Sequence, residues 1–144
     1  MENRKTVVIA DNSEEFCAGL TAALERTEGF RVLGTAGDGQ QAIRMVTERK
    51  PDVLVLDLML AKQDGISVLK AISTLEPRPV VFATSGFITE YVASAASNLG
   101  VRYLMLKPCD LSALVERMEE VRCGEAKKPQ AIRQNANAGI ESMV

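Results

Sequence analysis

The 144-residue chain contains no histidine. That absence removes whole classes of chemistry, because no Ser-His-Asp or Cys-His nucleophilic site, His-ligated metal or phosphohistidine carrier can be built from it. Cysteine is scarce. The 3 present, Cys17, Cys109 and Cys123, form no CxxC pair and are odd in number, so they read as reduced thiols and not as a disulfide framework. Charge is not in excess either: 17 Lys and Arg face 19 Asp and Glu, a net charge of −2. The electrostatic footprint of nucleic-acid binding is missing, and any contact with DNA falls to another domain. Apolar runs stop far short of the roughly 18 to 20 residues that span a bilayer. The opening "MENRKTVVIADN" has no small-residue cleavage pattern. No membrane segment is expected, and the expected location is cytoplasmic.

What is present suits one ordinary domain with a tail: 47% hydrophobic and 25% charged residues over a length that can bury a core. Short runs rich in Val, Ile and Leu recur at 6–10, 30–36, 52–57, 79–84 and 102–106. They are near-continuous instead of alternating, which predicts strands buried on both faces. Between them, residues 13–27, 39–49, 65–75, 88–99 and 111–123 carry apolar residues at helical spacing; Phe16, Leu20, Ala23 and Leu24 share one such face, read as core packing. Gly29, Gly37, Pro51, Pro77, Gly100 and Pro108 punctuate the segments, and Asp110 is placed to cap the last helix. Repeated βα alternation predicts an α/β fold, a five-stranded parallel sheet with helices on both faces. From about Gly124 the pattern ends, and residues 124–144 are expected to form a flexible tail or linker.

In a doubly wound sheet, ligand sites form beyond the carboxyl ends of the strands. The polar residues collect there: Asp11 and Asn12 after strand 1, Asp57 ending strand 3, Thr84 and Ser85 ending strand 4, and Lys107 ending strand 5. Each alone is consistent with a cap, a turn or a solvated charge. Together they suit phosphoryl chemistry on a carboxylate. A carboxylate attacking a dianionic phosphoryl group needs a hard divalent cation, which Asp11 and Asp57 would help hold, while a hydroxyl and an ammonium bind the remaining oxygens.

The stretches "VVIADN", "VLVLDLMLAKQDG", "VVFATSG" and "YLMLKP", in this order and at strand ends, carry a resemblance. Over residues 5 to about 123 the chain resembles the receiver domain of bacterial two-component response regulators. The resemblance implies a flavodoxin-like sheet in the order 2-1-3-4-5. It implies a receiver spanning 1–123, linked by 124–144 to an absent effector domain that binds DNA. It further implies that Asp57 accepts a phosphoryl group from a histidine kinase or histidine phosphotransferase. Mg2+ would be held by Asp11, Asp57 and the backbone carbonyl of Met59, with Asn12 beside them. Lys107 would bridge to the phosphoryl group, Thr84 would act as the switch hydroxyl, and the Lys107–Pro108 bond would be cis. Phosphorylation would drive homodimerisation or effector contact, and catalysis would be limited to the self-catalysed phosphorylation and dephosphorylation of Asp57. Three stretches, "MENRKTVVIADNSEEFC", "RVLGTAGDGQQAI" and "YLMLKPCDLSALVERM", more narrowly resemble receivers of sporulation control in endospore-forming Firmicutes.

The sequence departs from the family pattern in four places. Asn12 replaces a second acid, which removes one charge from the cation site and predicts weaker metal affinity. Ala61 replaces the usual loop proline. The customary aromatic switch position falls on Leu104, with Tyr103 next to it, and Ser85 offers a second hydroxyl beside Thr84. These departures leave open a phosphorylation-independent interaction module of the same fold. A flavodoxin-like binder of small molecules fits less well, since "ADNSEEF" presents acids where a phosphate loop would stand.

Overall fold

The computed structural model describes residues 4–60, 62, 64–122 and 130–131. The apolar runs form β1 (Lys5–Ala10), β2 (Phe30–Ala36), β3 (Val53–Asp57), β4 (Val80–Ser85) and β5 (Tyr103–Leu106). Every residue of β3 is buried, as expected of a central strand covered on both faces. The helical segments form α1 (Glu14–Glu25), α2 (Gly39–Arg49), α3 (Gly65–Ile72), α4 (Glu90–Asn98) and α5 (Leu111–Arg122). Local chemistry sets their starts. Ser13, Asp38, Asp64 and Thr89 each cap a helix by accepting the backbone N–H three residues on. Asp110 accepts from the Ser112 N–H at the head of α5.

All pairings are parallel, and the five strands lie in the order β2-β1-β3-β4-β5, as expected. A further strand of two residues, β6 (Gln130–Ala131), pairs with Tyr103 and Leu104 along the outer edge of β5. It falls inside the segment 124–144 read as a tail; residues 124–129 and 132–144 of that segment, like Cys123 before it and Ala61 and Gln63 of the acidic loop, lie outside the described residues.

Alternation along the strands divides the core into two layers. On one face Val7, Ile9, Val55, Phe82 and Met105 pack with Leu20 and Leu24 of α1 and Leu114 and Met118 of α5. On the other, Val8, Leu54, Leu56, Ala83 and Leu104 pack with α2, α3 and α4 through Val46, Leu69 and Ala96. Because every crossover returns to start a parallel strand, all strand ends point the same way, and the loops that follow them share one edge. Among the described residues no helix is long and apolar enough to cross a membrane.

Candidate functional site

Strand parity decides which strand-end side chains meet. Asp11 continues the alternation of Val7 and Ile9; Asp57 that of Val53 and Val55; Thr84 follows Phe82, and Lys107 follows Tyr103 and Met105. All four therefore sit on the face covered by α1 and α5. Ser85 and Leu104 take the opposite parity.

Lys107 joins the acids. Its ammonium lies 2.5 Å from Asp11 Oδ2 and 3.4 Å from Asp57 Oδ2. Both aspartates are almost wholly buried, at 3% and 5% exposure, so their charges need partners. Backbone amides supply the rest: the Ser13 N–H donates to Asp11 Oδ1 at 2.8 Å and the Met59 N–H to Asp57 Oδ1 at 2.9 Å. Burial works against the charge on Lys107, yet the hydrogen bond to Asp11 and the negative charge of Asp57 outweigh it and hold the pKa above the ordinary lysine value. The strand ends are tied by backbone bonds as well, from Leu58 N–H to Thr84 carbonyl at 2.8 Å and from Lys107 N–H to Ser85 carbonyl at 2.7 Å. The Lys107–Pro108 bond is cis.

The hydroxyls are not equivalent. Thr84 pairs in register with Asp57, is fully buried, and its Oγ1 makes no hydrogen bond. Ser85 donates to the Phe87 carbonyl at 2.6 Å and is thereby committed to the β4–α4 loop. Tyr103 also separates from Leu104. Its ring stacks on Phe82 at 5.2 Å on the α1/α5 face, while Leu104 is buried against the other layer.

Asp11 and Asp57 bring two carboxylates to the site, with exposed Asn12 next to Asp11 in the chain and Met59 two residues after Asp57, so the donors on offer are all oxygens. Such a set fits a hard divalent cation such as Mg2+. Among the described residues no group of three or more acidic, His or Cys side chains is placed to hold a metal. The amide and the carbonyl would therefore have to complete what two acids begin.

Two features of the site were not legible as functional. Phe16, read as a core residue of α1, puts its ring under the Lys107 ammonium, 4.5 Å from centroid to Nζ. Gly65, read only as the first residue of a helical stretch, lets α3 start against the end of β3: a Cβ there would lie 2.4 Å from Leu58 Cα. Cys17 donates its thiol to the Asp11 carbonyl at 3.4 Å, and burial followed by the Asp11 charge pushes its pKa up. It packs as a small buried side chain of the α1/α5 layer.

The family model of the response regulator receiver domain matches residues 7–119. The chain belongs to this family. It is a receiver of two-component signalling and not an enzyme in the usual sense. Among solved structures, the signal receiver domain of the response regulator NarL from Mycobacterium tuberculosis is 25% identical with a TM-score of 0.77, over 85% of this chain and 98% of that one. The CheX-CheY complex from Borrelia burgdorferi, which holds BeF3− and Mg2+, matches at 26% identity and a TM-score of 0.71, covering 81% of this chain and 88% of that one. The isolated receiver of RcsB from Salmonella enterica serovar Typhimurium, in the presence of the phosphomimetic BeF3−, shares the fold at a TM-score of 0.78 and 23% identity, over 92% of this receiver and 96% of that chain.

Proposed function

We propose that this receiver accepts a phosphoryl group on Asp57 from a phosphohistidine of a histidine kinase or histidine phosphotransferase. The observation that supports this most directly is the convergence of Asp11, Asp57 and Lys107 from separate strand ends, with the ammonium bonded to both acids. A carboxylate oxygen of Asp57 forms the new bond to phosphorus as the phosphorus–nitrogen bond to the donor imidazole breaks, and the imidazole leaves with the bonding pair. Lys107 offsets negative charge on the phosphoryl oxygens. Thr84, buried with an unengaged hydroxyl, donates to one of those oxygens once they are in place. Mg2+, held by Asp11, Asp57, the Met59 carbonyl and Asn12, would supply the electrostatic neutralisation that lets two anions approach.

The output is a change of association. Movement of Thr84 toward a phosphoryl group reshapes the face made by α4, β5 and α5 and biases homodimerisation or contact with a C-terminal, DNA-binding effector domain. Control of sporulation, by analogy with the receiver half of stage 0 sporulation protein A, rests on the three sequence stretches alone. The proposed location is the cytoplasm.

The deciding experiment treats the protein with a small-molecule acyl phosphate and Mg2+, followed by intact-mass and size-exclusion measurements on the same sample. One added phosphoryl group, absent without Mg2+ and in Asp57→Asn, with a change in association, is the expected result. The second reading, an interaction module that needs no phosphate, is favoured by exposed Asn12 in place of an acid and by Leu104 at the aromatic switch position. No incorporation at saturating Mg2+ would establish that reading instead.

A further inference from the structure

We infer that Phe16 is a positioning residue for Lys107, its ring face giving the ammonium a fixed seat beside Asp57. The lysine nitrogen lies 4.5 Å from the ring centroid, inside the roughly 6 Å within which an aromatic quadrupole attracts a cation. The ring faces the same ammonium that is paired with Asp11 and Asp57. Lys107 is thus flanked by two acids and one aromatic face, its side chain 22% exposed.

The placement of the ring is tied to the placement of the acid. Asp11 accepts the Ser13 N–H at 2.8 Å, and Ser13 in turn caps α1 by accepting the Phe16 N–H at 3.1 Å. One short segment therefore presents both the carboxylate and the ring, and they reach the ammonium as a unit. Packing alone does not require an aromatic here. Phe16 is only partly buried at the rim of the α1/α5 core layer, where Leu would fill similar space.

The reason for a ring is that its attraction for the ammonium is independent of the carboxylates. Asp11 and Asp57 are also the acids a divalent cation would take, and Asp57 is the proposed phosphoacceptor. The Phe16 face competes with neither. It keeps the ammonium oriented toward Asp57 while its contacts with the acids are exchanged for phosphoryl oxygens. A lysine without that seat spends part of its time elsewhere, at the entropic freedom natural to a long side chain. The kinetic part of this inference rests on the reading of Asp57 as phosphoacceptor; the ring-to-ammonium contact does not.

The test compares wild type, Phe16→Leu and Phe16→Tyr in lysine-labelled protein. The Lys107 ε-methylene signal is assigned by its loss in Lys107→Arg. A ring at this distance shifts that signal upfield in wild type and Phe16→Tyr, and the shift disappears in Phe16→Leu. The rate of Mg2+-dependent phosphorylation by an acyl phosphate is expected to fall in Phe16→Leu by roughly 2- to 30-fold, the range that a cation–π contact covers from exposed to desolvated sites. Phe16→Tyr should recover most of that loss. An unshifted Lys107 signal in wild type, an undiminished rate in Phe16→Leu, or equal losses in the Leu and Tyr variants would each overturn the inference. If wild type takes up no phosphoryl group, the functional reading fails and the NMR comparison decides the contact by itself.

Discussion

The Lys107 ammonium lies 2.5 Å from Asp11 Oδ2 although 96 residues separate the two in the chain. This ion pair closes the site across the β1–β3–β5 edge, and it reaches Asp57 through the same nitrogen. Removing the cation leaves two acids that water scarcely reaches, their side chains 1% and 6% exposed, facing one another. Lys107→Met is therefore expected to lower stability by about 3 kcal/mol, the cost of stranding buried charge. Millimolar Mg2+ should restore much of that loss by taking the place of the ammonium between the acids. Thermal unfolding with and without Mg2+ measures both effects.

Asn12 tests the charge count of the cation site. Asn12→Asp adds a third acid beside Asp11. A unit pair at 4 Å in water is worth about 1 kcal/mol and a divalent ion doubles it, so Mg2+ affinity should rise roughly 30-fold. An NMR titration with Mg2+ reads the change.

Thr84 carries an unengaged hydroxyl in the core. Thr84→Val keeps the shape and deletes the unsatisfied group, so it should stabilise the unphosphorylated protein by about 1 kcal/mol in urea unfolding. The same substitution should weaken BeF3− binding in the presence of Mg2+ by roughly tenfold, since a hydrogen bond to a charged partner is then lost. Opposite signs in the two assays distinguish a switch hydroxyl from a packing residue.

Gly65 stands where backbone approaches backbone. A Cβ there would meet Leu58 Cα at 2.4 Å and the Asp57 carbonyl oxygen at 3.0 Å. Gly65→Ala should cost about 1 to 3 kcal/mol of stability through forced displacement. Because the displaced residues include Leu58, which precedes Met59 in the acidic loop, Mg2+ affinity should fall as well. Chemical denaturation and the same Mg2+ titration test the pair of outcomes.

The sequence by itself determined the elements and their order. Near-continuous apolar runs, helical spacing and Gly or Pro punctuation are local signals, and they marked all five long strands and all five helices. It also delivered Asp11, Asp57, Thr84 and Lys107 to strand ends, because a run of apolar residues stops where a polar one begins. It made Thr84 the switch hydroxyl with Ser85 as a second candidate beside it, and put the aromatic switch position on Leu104 with Tyr103 next to it. Tertiary structure separated each pair, since neighbours along a strand point to opposite layers and only the packed helices show which layer borders the acids. The short β6, the seat of Lys107 on Phe16 and the contact of Gly65 with β3 were likewise decided in space. They depend on which strand lies beside which and on how closely a helix approaches, quantities that no periodicity within a single segment encodes.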